Sequence, residues 1–190
     1  SGDASKFADS VAGRAVRAIF DRLPNAEEEA ADVRVSYLEV YNEAVFDLLG
    51  GSGETAAQGG SAEGTGLAIV DDAKRGQIIV RGLSEHTVRT ASEVVQLLAT
   101  GAARRRVGAT NMNSRSSRSH AVCSVRVTRP ATATDGKLTL VDLAGSERAR
   151  KTGAQGDRLT EGIHINKGLL VLGQVIAALA DNATASSKNA

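Results

Sequence analysis

Residues 137–147 read KLTLVDLAGSE, an apolar segment that ends in Asp142 and is followed by a turn containing Gly145. The segment predicts a buried strand over residues 137–142. A carboxylate at the end of such a strand suits magnesium, usually held through water, and a glycine amide can approach a phosphate because no Cβ blocks it. An ordinary strand followed by a polar turn has the same pattern, so a second signal is needed.

A second segment, NMNSRSSRSH, occupies residues 111–120 and carries four serines within six positions together with Arg118. Hydroxyls and backbone amides gathered in one loop can ligate magnesium and line a phosphate site. Taken alone, the segment fits an ordinary serine-rich surface loop better than a nucleotide site.

Together, the two segments closely resemble switch I and switch II of kinesin motor domains. Three other segments resemble further parts of that family: 35–49, 151–156 and 165–179. The resemblance implies an α/β, kinesin-type P-loop NTPase fold, with a central mixed sheet flanked by helices on both faces and incomplete in this chain. Two features resemble the kinesin-4 (chromokinesin) group. They are the segment GDRLTEGIHINKGLLVLGQVIAAL and Gly168, where many kinesins have serine.

The resemblance also implies cofactors, ATP and Mg²⁺ in the complete motor, and a role for each matching residue. Ser117 would ligate the metal, Asp142 would reach it through water, and Gly145 would sense the γ-phosphate. Three further residues would lie beside the nucleotide: Asn113, Ser116 and Ser119.

Arg118 and Glu147 are the opposite charges that the two motifs bring together. The resemblance implies that they pair across the switches, close the site and order the attacking water. A purely structural latch is the alternative, because a buried Arg–carboxylate pair can hold two loops without any part in catalysis.

The resemblance implies binding to a microtubule, whose surface is acidic. The basic residues expected to meet it follow switch II, lie on the long helix, or lie in the turn between the two short strands. Each could also be a solvated surface charge. The candidates are Lys74, Arg75, Arg148, Arg150, Lys151 and Lys167. A further run, residues 104–106, either favours the negative end of a helix dipole or has a functional role.

The motif G-x-x-x-x-G-K-[ST], whose lysine reaches the β- and γ-phosphates, does not occur in these residues. We therefore expect residues 1–190 to be a partial motor domain that alone neither binds ATP tightly nor hydrolyses it. Residues 50–66, rich in Gly, Ser, Ala and Glu, predict a flexible loop, and residues 181–190 a frayed tail.

The remaining pattern predicts alternating helices and strands, which indicates an α/β protein. Helices are expected over 10–23, from a capping box at Thr90 and Glu93 to about Arg104, and over 160–180, with one or two helical turns at 43–49. Strands are expected over 33–41, 67–70, 77–81, 120–127 and 137–142.

The 190 residues carry a net charge of +1, so no overall field attracts nucleic acid or a membrane. Cys123 is the single cysteine, which fits a reducing compartment. The expected location is the cytoplasm, on the microtubule cytoskeleton.

Three functions remain open from the sequence. The first is a motor ATPase, and the second is a kinesin-derived microtubule-binding or scaffold module without ATP hydrolysis. The third, a GTPase-like switch protein, fits poorly because guanine-reading motifs are not evident. Direction, speed, cargo and oligomeric state are not encoded in these residues.

Overall fold

The structure is a computed structural model that describes residues 5, 7–24, 31–50, 66–73, 76–107, 118–145 and 167–181. The α-helices of this part are α1 (Val11–Phe20), α2 (Ala91–Val107) and α3 (167–181). Its strands are β1 (Asp32–Tyr41), β2 (Ala44–Asp47), β3 (Ile69–Asp72), β4 (Gln77–Val80), β5 (His86–Val88), β6 (His120–Arg129) and β7 (Thr134–Asp142). The combination of a sheet with packed helices confirms the α/β prediction.

The main sheet has the strand order β2-β1-β6-β7, and β5 pairs with the first residues of β1. All strand pairings in the described part are antiparallel. The β6–β7 ladder runs from Arg129 opposite Thr134 to Ala121 opposite Asp142. Strands β3 and β4 form a separate hairpin. The ladder thus places the start of β6 and the end of β7, where the two sequence motifs meet, at the same end of the sheet.

One face of the main sheet forms the core. On β1 the inward residues alternate with outward ones, because successive side chains of a strand point to opposite faces. Helices α1 and α2 cover this face with apolar side chains. The central buried residues are Val16, Val33, Val35, Tyr37, Val94, Leu98, Cys123 and Val125. This packing fixes α2 against the sheet, and therefore fixes the end of α2 relative to β6 and β7.

The prediction of helical turns over residues 43–49 is wrong, because β1 turns back directly into β2. Asn42 and Glu43 have φ values of 49° and 61°, and Tyr41 lies opposite Ala44 in the ladder. Two consecutive left-handed residues form the tight turn that best matches the twist of a hairpin. A short apolar run such as AVFDLL fits a strand as readily as a helix, so tertiary pairing decided this element.

Other boundaries moved without changing element type. Strand β6 continues past the predicted end to Arg129, and β7 begins before the predicted start, at Thr134. A short 3-10 turn, Pro130–Thr132, lies between them. Strand β5 had no sequence signal. The predicted cap before α2 is present: Thr90 Oγ1 accepts from the Glu93 amide at 3.2 Å. The Glu93 carboxylate reaches back to the amide of Arg89, one residue before Thr90, at 2.7 Å.

Helix α3 exposes several large apolar side chains. Leu170, Ile176 and Leu179 are each about six-tenths exposed, at 62%, 59% and 64%. The first part of the helix lies near β6, since a Cβ built on Gly168 would be 3.8 Å from Nε2 of His120. Most of the predicted loop 50–66 and of the predicted tail 181–190 lies outside the described residues.

Candidate functional site

The candidate site lies where β6 begins and β7 ends. Ser119 immediately precedes β6, and Asp142 is the last residue of β7. Ser119 is fully buried, whereas the Asp142 side chain is 70% exposed. Ser119, near the end of one motif, and Asp142, within the other, are therefore neighbours, one inside the protein and one exposed to solvent.

Arg105, in the last turn of α2, joins these two residues. Its Nη1 donates to Asp142 Oδ2 at 2.6 Å. Its Nε donates to Ser119 Oγ at 3.0 Å, and its Nη2 donates to the Ser119 carbonyl at 2.7 Å. A planar guanidinium with several donors in fixed directions suits this arrangement, and a lysine could not reproduce it.

Glu39 provides a second carboxylate beside Arg105. The Glu39 side chain is 2% exposed, and its Oε1 lies 3.7 Å from Arg105 Nε, whose side chain is 6% exposed. Two buried opposite charges stabilise one another only when both stay in place, because each would otherwise be left without compensation in a poorly solvated interior. Burial raises the pKa of the adjacent Tyr37 hydroxyl, although the Arg105 cation acts in the opposite direction.

His120 holds the chain just beyond Asp142. The backbone N–H of Ala144 donates to Nδ1 of His120 at 3.1 Å. Burial lowers the pKa of His120, and the Arg105 cation lowers it further, while Asp142 raises it. An Nδ1 that accepts a hydrogen bond carries no proton, so the neutral ring bears its proton on Nε2.

The structure describes only some of the residues that the sequence singled out. Arg118 and Gly145 are half-buried and flank the site, and Lys167 is exposed at the start of α3. The pairing of Arg118 with Glu147 stays a prediction. The predicted site residues outside the described part are Lys74, Arg75, Asn113, Ser116, Ser117, Glu147, Arg148, Arg150 and Lys151.

The exposed carboxylate of Asp142 fits a hydrated magnesium ion, which keeps several of its waters and prefers oxygen ligands. One of its oxygens accepts from Arg105, so the side chain is held at a fixed place at the sheet edge. Within the described ranges there is no cluster of three or more His, Cys, Asp or Glu residues that could hold a metal. No helix in that part is long and apolar enough to cross a membrane.

Sequence reasoning did not predict the buried contacts of Arg105 and Glu39. The run 104–106 was left between a helix-dipole role and a functional one. Arg104 in fact donates to the carbonyls of Leu48 and Gly50, at 2.9 and 2.5 Å, whereas Arg105 enters the core. Glu39 was not singled out. The available signal was a charge at an inward position of an alternating strand, because such a residue needs a buried partner.

Comparison with known proteins identifies the family. The model of the kinesin motor domain matches residues 4–189. The chain belongs to the kinesin motor domain family. A mouse chromosome-associated kinesin, KIF4, is 45% identical over 174 residues, covering 89% of this chain and 13% of that protein. The kinesin-like protein KIN-4C of Arabidopsis thaliana is 42% identical over 185 residues, covering 86% and 14%. The resemblance to the kinesin-4 group is confirmed.

A solved kinesin structure confirms the fold. It is that of KIF14, as a dimer in a two-heads-bound state with AMP-PNP and in complex with a microtubule. Its TM-score with this kinesin chain is 0.72 at 34% identity, covering 90% of this chain and 49% of the KIF14 chain. The chain thus spans about half of the solved kinesin domain and about an eighth of the curated relatives named here.

Proposed function

We propose that this kinesin chain is part of an ATP-driven, microtubule-based motor, and that it carries switch I, switch II and the main microtubule-binding helix. The observation that supports the proposal most directly is the Arg105 guanidinium, which is hydrogen-bonded to both Ser119 and Asp142. Family membership supports it independently, because the solved relative was obtained with AMP-PNP on a microtubule.

In this proposal the nucleotide binds at the sheet edge beyond β6 and β7. Ser117 would ligate magnesium directly and Asp142 through water, with Asn113, Ser116 and Ser119 nearby. Bound Mg–ATP would supply the phosphoanhydride bond that is hydrolysed, with the metal offsetting its negative charge. Gly145 would donate its backbone N–H to the γ-phosphate, and Arg118 with Glu147 would close the site around the attacking water.

Ser119 has a more indirect part in this scheme. Its side chain is fully buried and accepts from Arg105 rather than facing solvent. We infer that Ser119 anchors the end of switch I to α2, while residues before it meet the nucleotide. Asp142, anchored by the same guanidinium, keeps an exposed carboxylate for a hydrated metal.

The microtubule surface in this proposal comprises Lys74, Arg75, Arg148, Arg150, Lys151 and Lys167. Lys167 is exposed at the start of α3. The Cβ position of its neighbour Gly168 is close to His120. In this proposal α3 would therefore lie near residues that respond to the nucleotide. One helix beside the switches could relay nucleotide state to the track as a rigid body. The proposed location is the cytoplasm, on microtubules, with no role for nucleic acid or membrane.

The test uses a protein that contains the complete motor domain, with microtubule-stimulated phosphate release as the measurement. Arg118→Glu is expected to lower turnover about a hundredfold or more, because it removes a positive group from the closed site and repels Glu147. The matched control is Arg126→Glu, whose residue pairs with Asp135 at the surface at the far end of the β6–β7 ladder. Turnover unchanged in Arg118→Glu would remove the bridge from the mechanism.

The second arm measures co-sedimentation with microtubules over a range of salt concentrations. Lys167→Ala should weaken binding and flatten its salt dependence, since the lysine would meet an acidic surface. Lys137→Ala, an exposed lysine on β7, is the control. Microtubule binding without any ATP turnover in the unaltered protein would favour a kinesin-derived binding module over a motor.

A further inference from the structure

Beyond the end of the β6–β7 ladder, backbone groups of the two switch segments bond to side chains and not to each other. The last pair in the ladder is Ala121 with Asp142. Continuing that register by two residues would place Ser119 opposite Ala144. Both backbone groups bond to side chains: the Ser119 carbonyl accepts from Arg105 Nη2 at 2.7 Å, and the Ala144 amide donates to His120 Nδ1 at 3.1 Å.

These two side-chain hydrogen bonds satisfy backbone groups of residues that are buried from water. Ser119 is fully buried and Ala144 is 5% exposed. A buried backbone N–H without an acceptor is costly, so the imidazole holds the peptide group between Leu143 and Ala144 in one orientation. The next peptide along the chain carries the N–H of Gly145. The His120 ring therefore sets the direction from which the chain enters Gly145.

We propose that His120 is a positioning residue that holds the Gly145 loop through an unprotonated Nδ1. The proposal rests on the proposed function, in which the Gly145 N–H meets the γ-phosphate of ATP. His120 touches no reacting atom in this scheme; it acts through Ala144. Its other nitrogen, Nε2, faces α3, where it lies 3.8 Å from the Cβ position of Gly168. His120 is thus shared by switch I, the Gly145 loop and the helix proposed to meet the microtubule.

Two substitutions of His120 distinguish the loss of the hydrogen-bond acceptor Nδ1 from the loss of the ring itself. His120→Asn places a carbonyl oxygen where Nδ1 lies, and so keeps an acceptor for the Ala144 amide. His120→Leu keeps a side chain of similar position but removes the acceptor. The control is His86→Leu, because His86 is also half-buried but lies on β5, away from both switch segments, and contacts Ser84.

The experiment measures microtubule-stimulated ATP turnover, and separately ADP affinity, in a protein that contains the complete motor domain. His120→Leu should lower kcat about tenfold, the kinetic equivalent of one lost hydrogen bond in the site. ADP affinity should stay within about threefold, because ADP lacks the phosphate that Gly145 would meet. His120→Asn should recover most of the kcat, and His86→Leu should match the unaltered protein.

Equal loss of kcat in His120→Asn and His120→Leu would overturn the proposal, as would unchanged kcat in His120→Leu. Should the Leu variant fail to fold, a long-range ¹H–¹⁵N spectrum of the histidine-labelled, unaltered motor shows directly whether Nδ1 of His120 carries a proton. An unprotonated Nδ1 is expected, and a proton on Nδ1 would rule the positioning role out. Absence of turnover in the unaltered motor would count against the proposed function instead, and the spectrum without nucleotide would still decide the hydrogen bond.

Discussion

Arg105 on α2 and Asp142 at the end of β7 are joined by a 2.6 Å hydrogen bond although 37 positions separate them in the chain. The bond links a helix of the core to the exposed carboxylate of the candidate site. Through the same guanidinium the helix also holds Ser119, at the end of the other switch segment. The relative position of the two switch segments therefore depends on how α2 packs against the sheet.

Arg105→Ala should lower the free energy of unfolding by about 3–5 kcal/mol. The substitution removes a buried cation and leaves the carboxylate of Glu39, which is 2% exposed, in the interior. Arg104→Ala is the matched control, and should cost only about 1 kcal/mol because this side chain donates to two backbone carbonyls nearer the surface. Denaturant unfolding measures both. Similar losses in the two variants would show that the buried charge cluster contributes little.

Gly101→Ala should destabilise the protein although alanine is the better helix former. A Cβ at residue 101 would lie 2.3 Å from Cδ1 and 2.6 Å from Cε1 of Tyr37. Relieving such an overlap in a packed core costs about 1–3 kcal/mol. Gly173→Ala in α3, where nothing lies within 4 Å of the Cβ position, should instead gain up to about 1 kcal/mol. A stabilising effect at both positions in thermal unfolding would contradict the close packing of α2 on β1.

Gly168→Ser should stabilise the protein more than Gly173→Ser does. Both substitutions replace glycine in α3 and should gain about 0.5 kcal/mol from helix propensity. A serine hydroxyl at 168 would also come within reach of His120 Nε2, because the Cβ position is 3.8 Å from that atom. The hydrogen bond should add about 0.5–1.5 kcal/mol. Equal gains at the two positions would show that His120 and α3 do not interact.

Cys123 should be inert to alkylation in the folded protein and should make stability fall at high pH. Burial raises the pKa of its thiol from 9.0 to about 12, so the folded state keeps a proton that the unfolded chain loses. The contribution is complete below about pH 9 and is lost at roughly 1.4 kcal/mol per pH unit as the pH rises toward 12. Comparing denaturant unfolding of the unaltered protein and Cys123→Ala between pH 8 and 10.5 isolates the effect. Parallel profiles, or rapid iodoacetamide labelling without denaturant, would contradict the burial.

The sequence was sufficient for the family and for most elements of the fold. NMNSRSSRSH and LVDLAGSE together resemble the two switch segments of kinesin motor domains, and the family match over residues 4–189 confirms that assignment. The alternation of β1 and the capping box at Thr90 and Glu93 are local signals, and the structure confirms both elements. Local physics was enough there because neighbours in the chain make the deciding contacts.

Tertiary structure decided the features that depend on distant partners. Residues 43–49 became a turn and strand because β1 offered a pairing edge, which outweighed a weak helical pattern. Arg104, Arg105 and Arg106 are identical in type, and only the packing of α2 determines that Arg105 enters the core. The contact between His120 and Ala144 lies just beyond the end of the β6–β7 ladder, so it depends on the pairing of the two strands. Sequence thus determined which chemical groups are present, whereas folding determined which groups meet, because hydrogen bonds across 14 to 37 positions depend on packing that no local pattern encodes.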